Sequence, residues 1–108
     1  MELIVSIVKS GFAYKAMEVA RRFGATGGTI LHGRSAQKKD KKVFGITIHP
    51  EKDVLLIVGF KHDQDLIMKA LNEKYGVKSE ANGIVFSLTV SKAFGIRSNI
   101  RDLGEVVV

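Results

Sequence analysis

The 108-residue chain predicts an α+β fold, a ferredoxin-like βαββαβ sandwich with an antiparallel sheet, on three observations. Its apolar segments run strand, helix, strand and then repeat that order, and two tandem βαβ units are the signature of this split sandwich. Both helical segments carry an apolar stripe on one side only. The strand segments are apolar on both faces, so each face needs cover. Two helices cover one face of a four-stranded sheet. The other face is left to water or to a partner, and its apolar residues favour a partner. An obligate oligomer is therefore expected, although the pattern alone does not give its symmetry.

The first element is Leu3 to Val8, rich in β-branched residues and suited to a central strand. Ser10-Gly11 breaks it. Ala13, Ala16, Met17, Ala20 and Phe23 then recur at helical spacing, with Lys15, Glu18, Arg21 and Arg22 on the opposite side, and Gly24 stands where a left-handed helix cap is common. Gly27 to Arg34 reads as the second strand. Ser35 to Lys42 is polar and charged and reads as a loop, and Val43 to Ile48 suits a short strand or one arm of that loop. His49-Pro50-Glu51-Lys52 reads as a turn before the third strand, Asp53 to Phe60. Asp63 is expected to cap a second helix carrying Leu66, Ile67, Ala70, Leu71 and Tyr75, ended by Gly76. A polar loop, Val77 to Asn82, leads to the fourth strand, Gly83 to Val90. From Ser91 onward a short turn is expected before the final Glu105-Val106-Val107-Val108.

Composition narrows the function. One domain spanning 1–108 is what this length allows. There is no cysteine, which excludes disulfides, thiolate catalysis and cysteine-based zinc sites. No apolar stretch approaches the ~20 residues of a membrane span. The opening Met1 to Lys9 has no positive region before its apolar run, so no signal peptide is expected and cytoplasm is the expected compartment. The net charge is +6, and much of the excess comes from Lys38-Lys39-Asp40-Lys41-Lys42. That run reads as one loop rather than a groove-lining face, so nucleic acid is not an expected partner. An RNA-binding module of this fold would need aromatic side chains on its middle strands, but Val54 to Val58 has none and Phe86 stands alone in the fourth.

Gly24-Ala25-Thr26-Gly27-Gly28-Thr29-Ile30-Leu31-His32-Gly33-Arg34 resembles the end of helix one and strand two in the PII nitrogen-regulatory family, where such a glycine- and threonine-rich segment leads into the large T-loop. Asn82-Gly83-Ile84-Val85-Phe86-Ser87-Leu88-Thr89-Val90 is similar to that family's fourth strand, after its B-loop. The resemblance covers nearly the whole chain. It implies a homotrimer whose inter-subunit clefts bind a small effector, an adenine nucleotide or another anion, with no resident cofactor. It also implies a signalling protein whose T-loop docks on a target enzyme, channel or transporter, so that a membrane is reached only through such a partner. The T-loop position falls on about 34–48, shorter than in the main nitrogen regulators, and it holds no tyrosine to accept a uridylyl group. The B-loop position, about 76–83, keeps its end glycines. It lacks the middle glycine and final lysine of the family's phosphate-binding motif, and Glu80 would repel phosphate.

Candidate site residues follow from both readings. The Thr26 to Thr29 turn either presents amides to an anion or simply stops a helix and starts a strand. Thr29, Asn82 and Gly83 fall at ligand-contacting positions by resemblance. Gly33-Arg34 at the loop base and Arg97 or Arg101 in the tail suit phosphate or carboxylate, because guanidinium forms bidentate charge-assisted bonds. Lys78 is a substitute for the missing B-loop lysine. His32 is either a contact to a ligand's base or ribose or a polar residue at a sheet edge. The loop lysines Lys38, Lys39, Lys41 and Lys42 form a hook for an acidic partner, a contact to anionic lipid or a solvated loop tip. No metal is expected: His32, His49 and His62 have no metal-ligand spacing, and a metal-tolerance trimer of this fold would need a His/carboxylate set. An enzyme is not expected either, since no nucleophile has an evident base.

Overall fold

A computed structural model describes residues 1–36, 41–43, 46–48, 51–59, 61–94, 97–98 and 106–107 of the chain. The elements run β1 (Glu2–Lys9), α1 (Ala13–Arg22), β2 (Thr29–Arg34), β3 (Lys41–Val43), β4 (Ile46–Ile48), β5 (Glu51–Gly59), α2 (Lys61–Tyr75), β6 (Ile84–Thr89), β7 (Arg97–Ser98) and β8 (Val106–Val107). The main sheet has the order β2-β5-β1-β6, with every neighbouring pair antiparallel. This is the expected βαββαβ sandwich: each βαβ unit contributes one central and one edge strand.

Register and pleat sort the side chains into two faces. Toward the helices point Ile4, Ser6 and Val8 of β1 and Asp53, Leu55 and Ile57 of β5, all buried. Ile67 and Leu71, one turn apart on α2, close over this face with Ala16, Met17, Val19 and Ala20 of α1. Small alanines bring α1 close to the sheet, and Val8, Ala13 and Ala81 form a second buried cluster at one end.

The opposite face presents Leu3, Val5 and Ile7 of β1, Val54, Leu56 and Val58 of β5, Ile84, Phe86 and Leu88 of β6, and Leu31 of β2. Among the described residues no helix covers it, and Leu31, Ile84, Phe86 and Leu88 are exposed in the single chain. The expectation of strands apolar on both faces holds, with the two helices on one face only.

Several boundaries differ from the sequence reading for local reasons. Helix α2 starts at Lys61, so Asp63 lies in its first turn rather than at the cap. There its carboxylate faces the positive helix terminus, with Oδ2 3.1 Å from His62 Nε2. Phe23 follows the last turn of α1 and Leu66 stands beside the Ile67–Leu71 stripe, so both are exposed. Lys41 and Lys42, read as loop, belong to β3, which pairs with β4 as a small hairpin. Glu51 and Lys52, read as a turn, begin β5 opposite Arg34 and Gly33. In the tail, β7 pairs with β8. Gly24 has φ +116° and carries the turn out of α1 as expected: its N–H donates to Arg21 O, and Ala25 N–H donates to Ala20 O. Lys38, Lys39, His49, Pro50, Phe60 and Arg101 lie outside the described residues. No helix among the described residues is long and apolar enough to cross a membrane.

Candidate functional site

Strand β5 is apolar except at its beginning, where Asp53 is 2% exposed on the helix-facing side. A buried carboxylate needs partners, and three groups supply them. The Gly11 N–H donates to Oδ2 at 2.9 Å, His32 Nδ1 lies 2.7 Å from Oδ1, and the Ala13 amide also bonds the carboxylate. Burial pushes the Asp53 carboxyl up. The Gly11 amide, the His32 hydrogen bond and charge, and the Ala13 amide outweigh it and hold the group below its ordinary value. Asp53 therefore caps α1 from another strand, at a helix whose own N-cap residue, Phe12, makes no side-chain cap bond and whose first turn has no acid. An ionised carboxylate only accepts, so His32 Nδ1 carries the proton of the shared bond. The pair joins the C-terminal half of β2 to the start of α1.

Two cavities open where β2 and β5 leave the sheet. The larger, about 460 Å³, has an apolar part made of Ile7, Val54 and Ile84, all from the uncovered face. Its polar part is Gly33, Arg34, Ser35, Lys52 and Asn82, which among the described residues adds two cations and no carboxylate. The smaller, about 300 Å³, is lined by Ser10, His32, Gly33, Arg34, Glu51 and Lys52. Gly33, Arg34 and Lys52 are shared between the two.

Of the residues singled out from the sequence, Gly33, Arg34 and Asn82 meet in the larger cavity, and His32 joins Gly33 and Arg34 in the smaller. Thr29 sits within β2, opposite Leu56, and Lys78 is exposed in the B-loop-like segment; neither lines these cavities. Arg97 is placed by its backbone in β7, opposite Val107. Gly83 is buried and has a packing role, since a Cβ there would run into the carbonyl of Tyr75 and lie 2.8 Å from Val8 Cγ1. Its N–H donates to Gly76 O at 3.1 Å, Ser79 N–H and Oγ–H donate to the same carbonyl, and Asn82 N–H donates to Ser79 O. Three amides of this segment are thus engaged internally, where a phosphate cradle would direct its amides outward. Sequence reasoning missed Lys52 and Asp53. The signal for Asp53 was an acid inside an otherwise apolar strand. Lys52 was hidden by reading it as part of a turn. No group of three or more His, Asp or Glu side chains among the described residues is arranged to hold a metal.

These features define a ferredoxin-like α+β domain with a cationic, partly apolar cavity at the base of a loop excursion. A solved structure with a similar fold is that of a candidate PII-like signalling protein from Thermus thermophilus, at TM-score 0.59 and 17% sequence identity. The match covers 81% of this chain and 83% of that one, and at this identity it establishes a shared fold. No family model and no curated protein matches the sequence.

Proposed function

We propose that the chain is a PII-like signal-transduction protein, not an enzyme, acting as a homotrimer that binds an adenine nucleotide or another anionic metabolite and signals through segment 34–48. The observation that carries this reading is the larger cavity. Arg34 and Lys52 suit phosphate or carboxylate groups, Ser35 and Asn82 offer polar contacts, and Ile7, Val54 and Ile84 offer an apolar wall for a flat base. The same three apolar residues belong to the uncovered sheet face, so a neighbouring subunit packed on that face would supply a further wall. Assembly and ligand binding then share residues, and the cleft is completed between subunits.

The cavity also touches Arg34 and Ser35, where the chain departs from β2 into the 34–48 excursion. A ligand with unequal affinity for two arrangements of that excursion shifts their populations, and a target protein reads the result. At a hundred times its dissociation constant the ligand adds about 2.7 kcal/mol to the arrangement it prefers. The internally bonded B-loop-like segment and its Glu80 favour phosphate contacts from Arg34 and Lys52 over contacts from that loop. The lysines of 38–42 would serve as the hook for an acidic target. Cytoplasm is the compartment this role requires.

The test is a thermal-shift series with ATP, ADP, AMP, cyclic dinucleotides, S-adenosylmethionine, 2-oxoglutarate and bicarbonate, run beside size-exclusion light scattering. A trimer stabilised by one of these ligands, with the shift lost in Lys52→Ala, is the expected result. A monomer overturns the assignment. A trimer indifferent to every ligand overturns the sensing role.

A further inference from the structure

The smaller cavity is chemically distinct from the larger one. Its own contributors are Ser10, His32 and Glu51, and it lies toward the Asp53–His32 pair rather than toward the uncovered apolar face. Asp53 fixes the His32 ring through Nδ1. This leaves Nε2 on the opposite edge of a side chain that is 74% exposed. A neutral imidazole accepts a hydrogen bond at Nε2, and a protonated one donates there. Among the described residues, the charged groups around the ring come from two strands: Arg34 from β2, and Glu51, Lys52 and Asp53 from β5. Lys9 of β1 is the strand partner of Lys52. Asp53 is already engaged by amides, so among the described residues lining the cavity Glu51 is the remaining carboxylate, against Arg34 and Lys52.

We infer that this cavity is a second anion site, holding a small oxyanion (a phosphoryl or carboxylate group) between His32 Nε2–H, Arg34 and Lys52, with binding coupled to uptake of a proton by His32. The backing carboxylate sets the ring's orientation, so the donor is in place before the anion arrives. Glu51 opposes the anion. It keeps affinity low while His32 is neutral, and protonation of the ring tips the balance. An anion here would bridge the T-loop end of β2 and the start of β5 from the other side of Gly33. Occupancy would thus bear on the same loop base as the larger cavity without using its apolar wall.

The probe is sodium sulfate, whose charge is constant from about pH 5.5 to about pH 8.5, the interval that spans imidazole titration. Calorimetry on the intact chain, at ionic strength held constant with chloride and with no nucleotide present, measures its affinity. Affinity is expected to fall about tenfold or more across that interval, with proton uptake visible as a dependence of the heat on buffer ionisation. His32→Gln, a change at an exposed ring, should remove the pH dependence. Glu51→Gln should tighten sulfate binding several-fold at every pH. Phosphate or acetate, whichever displaces sulfate at lower concentration, identifies the preferred oxyanion, and displacement by neither overturns the site. Sulfate binding that ignores pH, survives unchanged in His32→Gln or disappears in Asn82→Ala, which lines only the larger cavity, also overturns it. Because no nucleotide enters the experiment, failure here leaves the proposed sensing role standing, and failure of that role leaves this site standing.

Discussion

The two faces of the sheet are built from the same residue types and end in opposite conditions. On one, Ile4, Leu55 and Ile57 are at most 1% exposed beneath α1 and α2. On the other, Phe86 is 39% and Leu88 53% exposed in the single chain, although they pair with Val5 and Leu3 at the same strand register. Apolar alternation therefore states that a face needs cover without stating what covers it. A contiguous apolar sheet face drawn from all four strands is the kind of surface that marks an interaction site, which is why the proposed assembly places neighbouring subunits there.

The sharpest way to break this comparison is to truncate one side chain on each face. Leu55→Ala should cost about 2–5 kcal/mol in denaturant unfolding at any protein concentration, because the cavity it leaves lies within one chain. Phe86→Ala should cost a similar amount in the assembled protein, with a loss that grows on dilution. A small, concentration-independent loss for Phe86→Ala would show that the open face stays open.

Gly83→Ala follows in size. Its Cβ would collide with the Tyr75 carbonyl and press on Val8, so a destabilisation of about 1–3 kcal/mol is expected by thermal unfolding. A neutral result would mean that the loop after α2 shifts without loss, which would remove the close-packing role assigned to this glycine.

Asp53→Asn should cost about 1–2 kcal/mol at neutral pH by weakening the charged cap of α1. The sign with pH is set by the folded carboxyl lying below its ordinary value of 3.8. The stabilisation is fully present above that value and is lost as pH falls through the lower folded one. The wild-type chain should therefore lose stability on the acid side more steeply than Asp53→Asn, measured by urea unfolding from about pH 6 to about pH 2. Parallel curves would remove the carboxylate from the helix cap.

The smallest expected effect is at Lys78. It is exposed and lines neither described cavity, so Lys78→Ala should leave nucleotide-induced thermal shifts unchanged. A lost shift would put the B-loop-like segment back into the ligand site.

Much of the fold was legible in the chain itself. Strand and helix order, the Gly24 turn and the end of α2 before Gly76 are local matters of period and backbone freedom, and they appear where the pattern put them. Errors clustered where a residue's role depends on something distant. Lys41 and Lys42 look like loop because charge marks solvent, yet they pair with Ile48 and Thr47 across a hairpin. Asp63 looks like a cap because caps are judged from neighbours, while the helix began two residues earlier.

The candidate site divides in the same way. Gly33, Arg34 and His32 could be named because they sit together in sequence at a loop base. By itself the sequence determined the repeated βαβ order, the two apolar faces and the cationic bias of that base, since these follow from residue type and spacing. Only the tertiary structure decided that Asp53 serves as the missing cap of α1 and holds His32 from 21 positions away. It likewise decided that Lys52 joins Arg34, and that Ile7, Val54 and Ile84 form one wall. Those pairings depend on strand register, a long-range quantity in which a one-residue slip would send every side chain to the opposite face.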